Sequence, residues 1–334
     1  MKILMTGLDY RSSELSVREK FAVTKEKARD IIKAYMDLPS VKGCVVIFTC
    51  NRTEVYVSYI PTDKMDFDIT EFLCETLGLD AGTYTPHFTK RGDTEALHHL
   101  CRVAAGMDSQ ILGDDQIITQ VREALESSRE NGFTDCYTEK MFGTAVKAAK
   151  EIKTNVVVRS PHVASAPHRA VEKIKSLIEI AGQKAVVIGN GQMGRLTAEL
   201  LLKESAQVTV TLRTYKKGVV QVPEGAKTIA YSKKYDAIEH AKIVVSATTS
   251  PHYTLHYDDF AKLGNMPEIV IDLAVPRDIE PNIGGLPGVN LFTIDDLGDE
   301  NPSLPEEKTI LAEQIIENNI QDYYKWRSYK ENII

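Results

Sequence analysis

Two groups of residues in this sequence have the types and spacing of reaction chemistry. The first is Thr49-Cys50-Asn51-Arg52-Thr53-Glu54. Cys50 ends the apolar run that starts at Gly43 and opens a tight polar turn, two residues from a guanidinium, a setting that favours a thiolate. The second is Gly189-Asn190-Gly191-Gln192-Met193-Gly194, a G-x-G-x-x-G pattern between the apolar run 185–188 and the helical run 196–202. In that context Gly189 permits the tight turn, Gly191 lets backbone N–H groups approach a pyrophosphate, and Gly194 lets helix and strand pack closely. A thiol paired with a hydride donor points to acyl chemistry. The thiolate takes an acyl group as a thioester, and hydride reduces it to an aldehyde. The other cysteines, Cys44, Cys74, Cys101 and Cys136, read as small core hydrophobes.

The strand after the fingerprint ends Leu212-Arg213-Thr214-Tyr215-Lys216-Lys217, with no carboxylate to hold a ribose 2′-hydroxyl. Arg213 can stack on adenine and pair with a 2′-phosphate, assisted by Lys216 or Lys217, so NADPH is the expected cofactor. The competing reading of these cations is a solvated basic turn. Ser246-Ala247-Thr248-Thr249-Ser250-Pro251 follows a later strand and is expected to line the nicotinamide side, or else to be a generic small-residue turn.

Three segments must position these groups. Residues 1–155 mix strands and helices in an α+β arrangement. Runs at 2–7 and 43–49 read as strands, and 53–59 alternates with period two, so a half-exposed strand is expected there. A helix over 24–37 carries Ala28, Ile31, Ile32 and Tyr35 on one stripe. Asp93 is expected to cap a helix through Leu97, Leu100, Val103 and Ala104, and Asp114 or Asp115 to open one with Ile117, Val121 and Leu125. Residues 156–300 alternate strand-like and helical runs, the pattern of a doubly wound parallel sheet, here a Rossmann domain. The fold class is therefore α/β. From 301 a single long helix runs to residue 334, with Ile315, Ile316, Ile320, Tyr323 and Trp326 needing burial against its own domains or a partner helix.

Composition narrows the class. The 334 residues are 43% hydrophobic and 26% charged, enough apolar surface for two or three globular domains and too much for a disordered chain. No run approaches the ~20 apolar residues of a membrane span. Five cysteines without C-x-x-C spacing argue against a zinc ribbon or a disulfide framework and for a reducing, cytoplasmic setting. The histidines fall in no metal-ligand pattern, so no metal is expected. The formal charge of −7 means that any nucleic-acid partner must meet a local basic surface. Lys140, Lys147, Lys150, Lys153 and Arg159 are one such run, or simply a solvated helix face.

With these motifs in one order, the chain resembles the glutamyl-tRNA reductase family, from residue 1 to about 330. The resemblance rests on Gly7-Leu8 with Arg18-Glu19-Lys20-Phe21, the Thr49–Glu54 segment, His99-Leu100 with Arg102-Val103-Ala104, and Gly106-Met107-Asp108-Ser109 with Leu112-Gly113. Further matches are Gln116-Ile117 with Gln120-Val121, the glycine fingerprint, Arg213-Thr214, and Asp272 to Ile279 with Asp295-Asp296-Leu297. It implies NADPH-dependent reduction of glutamyl-tRNA(Glu) to glutamate 1-semialdehyde, the first step of five-carbon-route tetrapyrrole synthesis. Cys50 would be the nucleophile, with His99 important beside it. Thr49, Asn51, Arg52, Ser109, Gln116 and Gln120 would line the glutamate pocket, Arg52 holding a carboxylate through its planar fork. Residues 189–194 would bind NADPH.

The residues bear on parts of this independently. Gln116 and Gln120 share a helix face beside an apolar stripe, and His99 flanks another; a solvated face and a satisfied core histidine are the plainer readings. Asp114-Asp115 stands where the family has Glu-Pro, which bears on how the substrate amino group is held and on substrate choice. The family usually continues into a helical dimerisation domain, which is not expected here; a homodimer and a transient glutamate-1-semialdehyde aminomutase partner are further expectations. A paralogue acting on another tRNA- or carrier-linked acyl group, or a non-catalytic tRNA-binding homologue, are the alternatives.

Overall fold

The computed structural model describes residues 1–61, 67–110, 112–113, 116–156, 165–213, 221–298 and 304–332. Asp114, Asp115, Arg159, Thr214, Lys216 and Lys217 lie outside them. The chain divides into two compact units, Met1–Ala164 with Asp299–Ile334, and Ser165–Gly298.

The first unit is built on a four-stranded antiparallel sheet. Its strands are β1 (Lys2–Asp9), β2 (Val41–Phe48), β3 (Arg52–Tyr59) and β4 (Thr89–Gly92), in the order β2-β3-β1-β4. On one face, α1 (Leu15–Phe21), α2 (Lys25–Met36), α3 (Ile69–Leu77) and the short α4 (Ala81–Tyr84) cover Leu8, Cys44, Val55 and Val57. On the other, α5 (Asp93–Ala104), α6 (Gln116–Glu130) and α7 (Cys136–Asn155) cover Met5, Val45, Ile47 and Tyr56.

This two-sided cover corrects one expectation. The period-two alternation of β3 suggests a half-exposed strand, yet every residue from Arg52 to Ser58 is buried. β3 is an inner strand with helices on both faces. Its alternating polar residues face a second core, where Arg52, Glu54 and Ser58 are each 2% exposed or less. Asp93 is a second correction. It is the first residue of α5, with φ of 36°, and Gly92 is the N-cap. Its carboxylate instead accepts from Ile3 N–H and pairs with Arg327 at 2.9 Å.

The second unit carries α8 (Ala166–Leu177), β5 (Lys184–Ile188), α9 (Gln192–Lys203), β6 (Gln207–Leu212), β7 (Lys227–Ala230), α10 (Lys234–Ile238), β8 (Ile243–Ser246), α11 (Tyr257–Phe260), β9 (Ile269–Asp272) and β10 (Asn290–Thr293). All six strands are parallel, in the order β10-β9-β8-β5-β6-β7, which is a Rossmann sheet with its switch point beside β5. Edge strand β7 was not legible in the sequence, because its four residues are only half covered and carry no long apolar run.

The closing helix, α12 (Glu306–Glu331), packs on α5 and α7 of the first unit. Ala312, Ile316, Ile320 and Tyr323 join that unit's core, and Trp326 sits edge-on to Tyr137 at 5.7 Å. The apolar stripe that needed burial is thus covered from within the chain. Two residues of the basic run are engaged in the same contact. Lys140 lies over the Trp326 ring, and Lys147 faces Glu151 and Asp322. Among the described residues no helix is long and apolar enough to cross a membrane.

Ile316 is fully buried in this contact. Ile316→Ala should lower the unfolding free energy by about 2–5 kcal/mol, read from urea denaturation followed by fluorescence of the single tryptophan, Trp326. An unshifted midpoint would contradict the packing of α12.

Candidate active site

Cys50 and Asn51 form the turn that joins β2 to β3. Thr49 closes it. Its N–H donates to the Arg52 carbonyl at 2.9 Å, and its Oγ1 accepts from the N–H groups of Asn51 (3.1 Å) and Arg52 (3.2 Å). Tyr10 N–H bonds the Asn51 carbonyl at 3.0 Å, so the segment after β1 braces the turn from outside. Cys50 is partly exposed at its tip. Burial pushes the Cys44 thiol well above the usual range and that of Cys101 up to about 12, so both are inert core groups.

Beneath the turn the polar face of β3 carries a buried charge cluster. Arg52 directs Nη1 to Glu54 Oε1 at 2.7 Å and Nη2 to the Asp108 carbonyl at 2.6 Å. Glu54 also accepts from Tyr56 OH at 2.8 Å and meets His99 Nε2 at 2.9 Å. Burial by itself would raise the Glu54 carboxyl, but His99 and Arg52 outweigh it and hold the group well below the usual carboxylate range. An ionised carboxylate only accepts, so Nε2 of His99 carries the proton in this contact. Nδ1 of His99 faces a second carboxylate, Asp108, at 3.8 Å.

Space for Glu54 is made across the sheet. Its register partner on β1 is Gly7, and a Cβ there would stand 2.6 Å from Glu54 Cγ. Asp108 continues the cluster outward. It accepts from Arg11 Nη1 at 3.1 Å and from Arg102 Nη2 at 2.9 Å. Although burial raises it, these guanidinium groups bring its carboxyl below the ordinary value. Arg102 reaches on to Glu313 of α12, which also meets His98 at 2.7 Å.

Of the residues expected at the site, Thr49, Cys50, Asn51, Arg52 and His99 are brought together by this hairpin and cluster. Ser109 is buried one residue beyond Asp108, while Gln116 and Gln120 stand partly exposed on the first turns of α6. Arg52 faces inward, its fork occupied by Glu54 and a backbone carbonyl. Glu54, Asp108 and Arg102 were missed as site residues, although each lies in a quoted motif. Only Glu54 carried a signal, a carboxylate on the same strand face as an arginine. Among the described residues no three His, Cys, Asp or Glu side chains gather as a metal site.

In the second unit the fingerprint has the geometry of a phosphate cradle. Gly189 has φ of 104°, and a Cβ on Gly194 would lie 2.1 Å from the Gly189 carbonyl oxygen, so both positions require glycine. A Cβ on Gly191 would meet nothing within 4 Å, which leaves open space at the N-cap of α9, where free N–H groups receive a phosphate. Asn190 and Arg195 both bond Gln221, Asn190 Nδ2 to its carbonyl and Arg195 Nη1 to its Oε1, while Gln192 and Met193 begin α9. Arg213 follows the last residue of β6, with Cζ 4.8 Å from the centroid of the Tyr231 ring. The residues present fit a dinucleotide. Ser246 and Thr248, in the loop expected near the nicotinamide, are anchored on Asp278 at 2.7 and 2.8 Å.

Comparison with known proteins agrees with both halves. Residues 6–156 match the family model described as glutamyl-tRNAGlu reductase, N-terminal domain, and residues 169–300 match that of shikimate / quinate 5-dehydrogenase. A glutamyl-tRNA reductase from Alkaliphilus oremlandii is 39% identical over 337 residues, covering 100% of this chain and 99% of that protein. The chain belongs to the glutamyl-tRNA reductase family. A second family member, from Acetivibrio thermocellus, is 38% identical with 100% and 99% covered. The solved glutamyl-tRNA reductase from Methanopyrus kandleri aligns over 97% of this chain and 79% of its own, at 26% identity and a TM-score of 0.49. The dehydrogenase match and the glycine cradle together make the second unit a pyridine-nucleotide-binding unit.

Glu54 gives a pH prediction. A carboxyl lowered on folding binds fewer protons folded than unfolded, so its stabilisation is complete above its unfolded pKa, about 4.3, and is lost as pH falls towards the folded value. Glu54→Gln should cost about 3 kcal/mol near neutrality, because Arg52 is left buried without its counter-charge. The variant's urea midpoint should then fall less steeply than the wild type's between pH 6 and pH 3. Parallel curves would contradict the assignment.

Proposed function

We propose that the chain reduces the glutamyl group of glutamyl-tRNA to glutamate 1-semialdehyde with NADPH, through a thioester on Cys50. The observation that carries this reading is a partly exposed thiol held on a turn that is bonded at Thr49, Asn51 and Arg52 and seated on a buried ion pair. Full-length relatives bearing that enzyme's name supply the substrate class.

The Cys50 thiolate attacks the ester carbonyl. The new C–S bond replaces the C–O bond to the ribose, whose oxygen leaves with a proton. When bound, the reduced nicotinamide supplies a hydride, which turns a thioester into an aldehyde and frees the thiolate. The protein's part is positional. Thr49 fixes the turn, and Arg52 and Glu54 fix the strand end from which it projects. His99, bonded to Glu54 with its other nitrogen towards Asp108, acts as a positioning residue through that pair. Asn51 Oδ1, buried and without a protein partner among the described residues, is an acceptor suited to the substrate amino group. Ser109, Gln116 and Gln120 supply further polar lining, and Asp114 and Asp115, which lie between them in the sequence, belong to the same substrate-binding proposal.

Arg213 at the end of β6, in a segment Leu212 to Lys217 that contains no Asp or Glu, favours the 2′-phosphorylated nucleotide. The reactive aldehyde makes transient transfer to an aminomutase part of the proposal. A homodimer would use surfaces other than the α12 stripe, which α5 and α7 cover; Ile310 and Leu311 remain exposed at its start. The reducing chemistry of a free thiol fits a cytoplasmic setting.

Cys50→Ser should abolish both aldehyde formation and thioester accumulation on glutamyl-tRNA, a loss of about a thousandfold or more, with an unchanged melting curve. Undiminished turnover would remove the assigned nucleophile. Preference for a different charged tRNA in the wild type would instead support the paralogue reading.

A further inference from the structure

The adenosine end of the nucleotide unit holds a second cation that sequence motifs did not single out. In the register of β6 and β7, Leu212 pairs with Ala230. Arg213 and Tyr231 therefore stand side by side, one step beyond the carboxyl edge of the sheet, where ligands of open parallel sheets bind. Arg213 lies 19 residues after Gly194, near the distance of about 20 at which this fold presents its ribose-reading side chain.

Lys234 joins them from the start of α10. Its ammonium lies over two rings, 4.5 Å from the centroid of Tyr231 and 4.6 Å from that of Tyr235. Arg213 and Lys234 thus share the Tyr231 ring. Local rules disfavour a lysine here. It is partly buried, and both that burial and the neighbouring Arg213 favour its neutral form, opposed by Asp259. Asp259 is itself paired with Lys262 at 3.2 Å. Cation–π contacts offset part of this cost and fix the ammonium in place. Two cations held on one ring at the carboxyl edge of the sheet suit a multiply charged anion.

We propose that Lys234, seated on Tyr231 and Tyr235, completes with Arg213 the site for the 2′-phosphate of the dinucleotide and is a specificity-determining residue for NADPH over NADH. This rests on the NADPH reading given above. The guanidinium supplies planar hydrogen bonding and the ammonium a second charge on the same dianion.

Calorimetric titration of the full chain with 2′,5′-ADP and with 5′-AMP tests it without turnover. The wild type should bind 2′,5′-ADP at least about tenfold more tightly than 5′-AMP. Lys234→Gln should lose about tenfold for 2′,5′-ADP and leave 5′-AMP unchanged, and Lys234→Arg should keep most of the affinity. The KM for NADPH should rise in the Gln variant with kcat and the KM for NADH unmoved. If the wild type prefers 2′,5′-ADP but Lys234→Gln weakens both ligands equally, or neither, the role of Lys234 is overturned. If the wild type does not distinguish the two ligands, the NADPH reading itself falls.

Discussion

The carboxylate of Glu54 is the group around which the first unit is arranged. An isolated ion at that depth would cost several kcal/mol, so it persists only because three donors converge on it from Arg52, Tyr56 and His99. The same bonds reach the turn above. Arg52 is both the counter-ion of Glu54 and the last residue of the turn that presents Cys50, so the thiol's position is tied to the buried pair. Gly7 on the facing strand, with no side chain to compete for the space, makes room for the Glu54 side chain.

The cluster does not end at the sheet. Asp108 gathers Arg11 and Arg102, and Arg102 passes the connection to Glu313 on α12. The closing helix is therefore joined to the core both by apolar packing at Ile316 and Tyr323 and by charge at Glu313. Salt bridges in such settings add little net stability. They restrict geometry, since each guanidinium has few ways to satisfy two acceptors at once.

The second unit handles buried acid differently. Asp272, at the end of β9, is pushed up to about 8 by burial and by Asp278, against the pull of backbone N–H bonds from Ala274 and Ile279. Asp278, raised by burial as well, spends its oxygens on Ser246 and Thr248 and holds the loop after β8. One unit keeps its buried carboxylate charged by surrounding it with cations. The other sets two buried acids side by side, raises both, and uses one of them to anchor a loop.

Local pattern marked many of the elements and the groups proposed to react. The alternation of apolar runs and helices marked the parallel sheet, the fingerprint marked the glycine turn after β5, and a polar turn after an apolar strand marked Cys50, because each signal lies within a few consecutive residues. Tertiary structure decided what those residues are bonded to. That β3 is buried on both faces follows from helices contributed by distant segments. That Arg52 turns inward follows from Glu54 and Asp108, 2 and 56 residues away in the chain. That Lys234 stands beside Arg213 follows from strand register. Sequence spacing reports which side chains share an element, whereas a buried charge is settled by whichever partners the fold brings within hydrogen-bond reach.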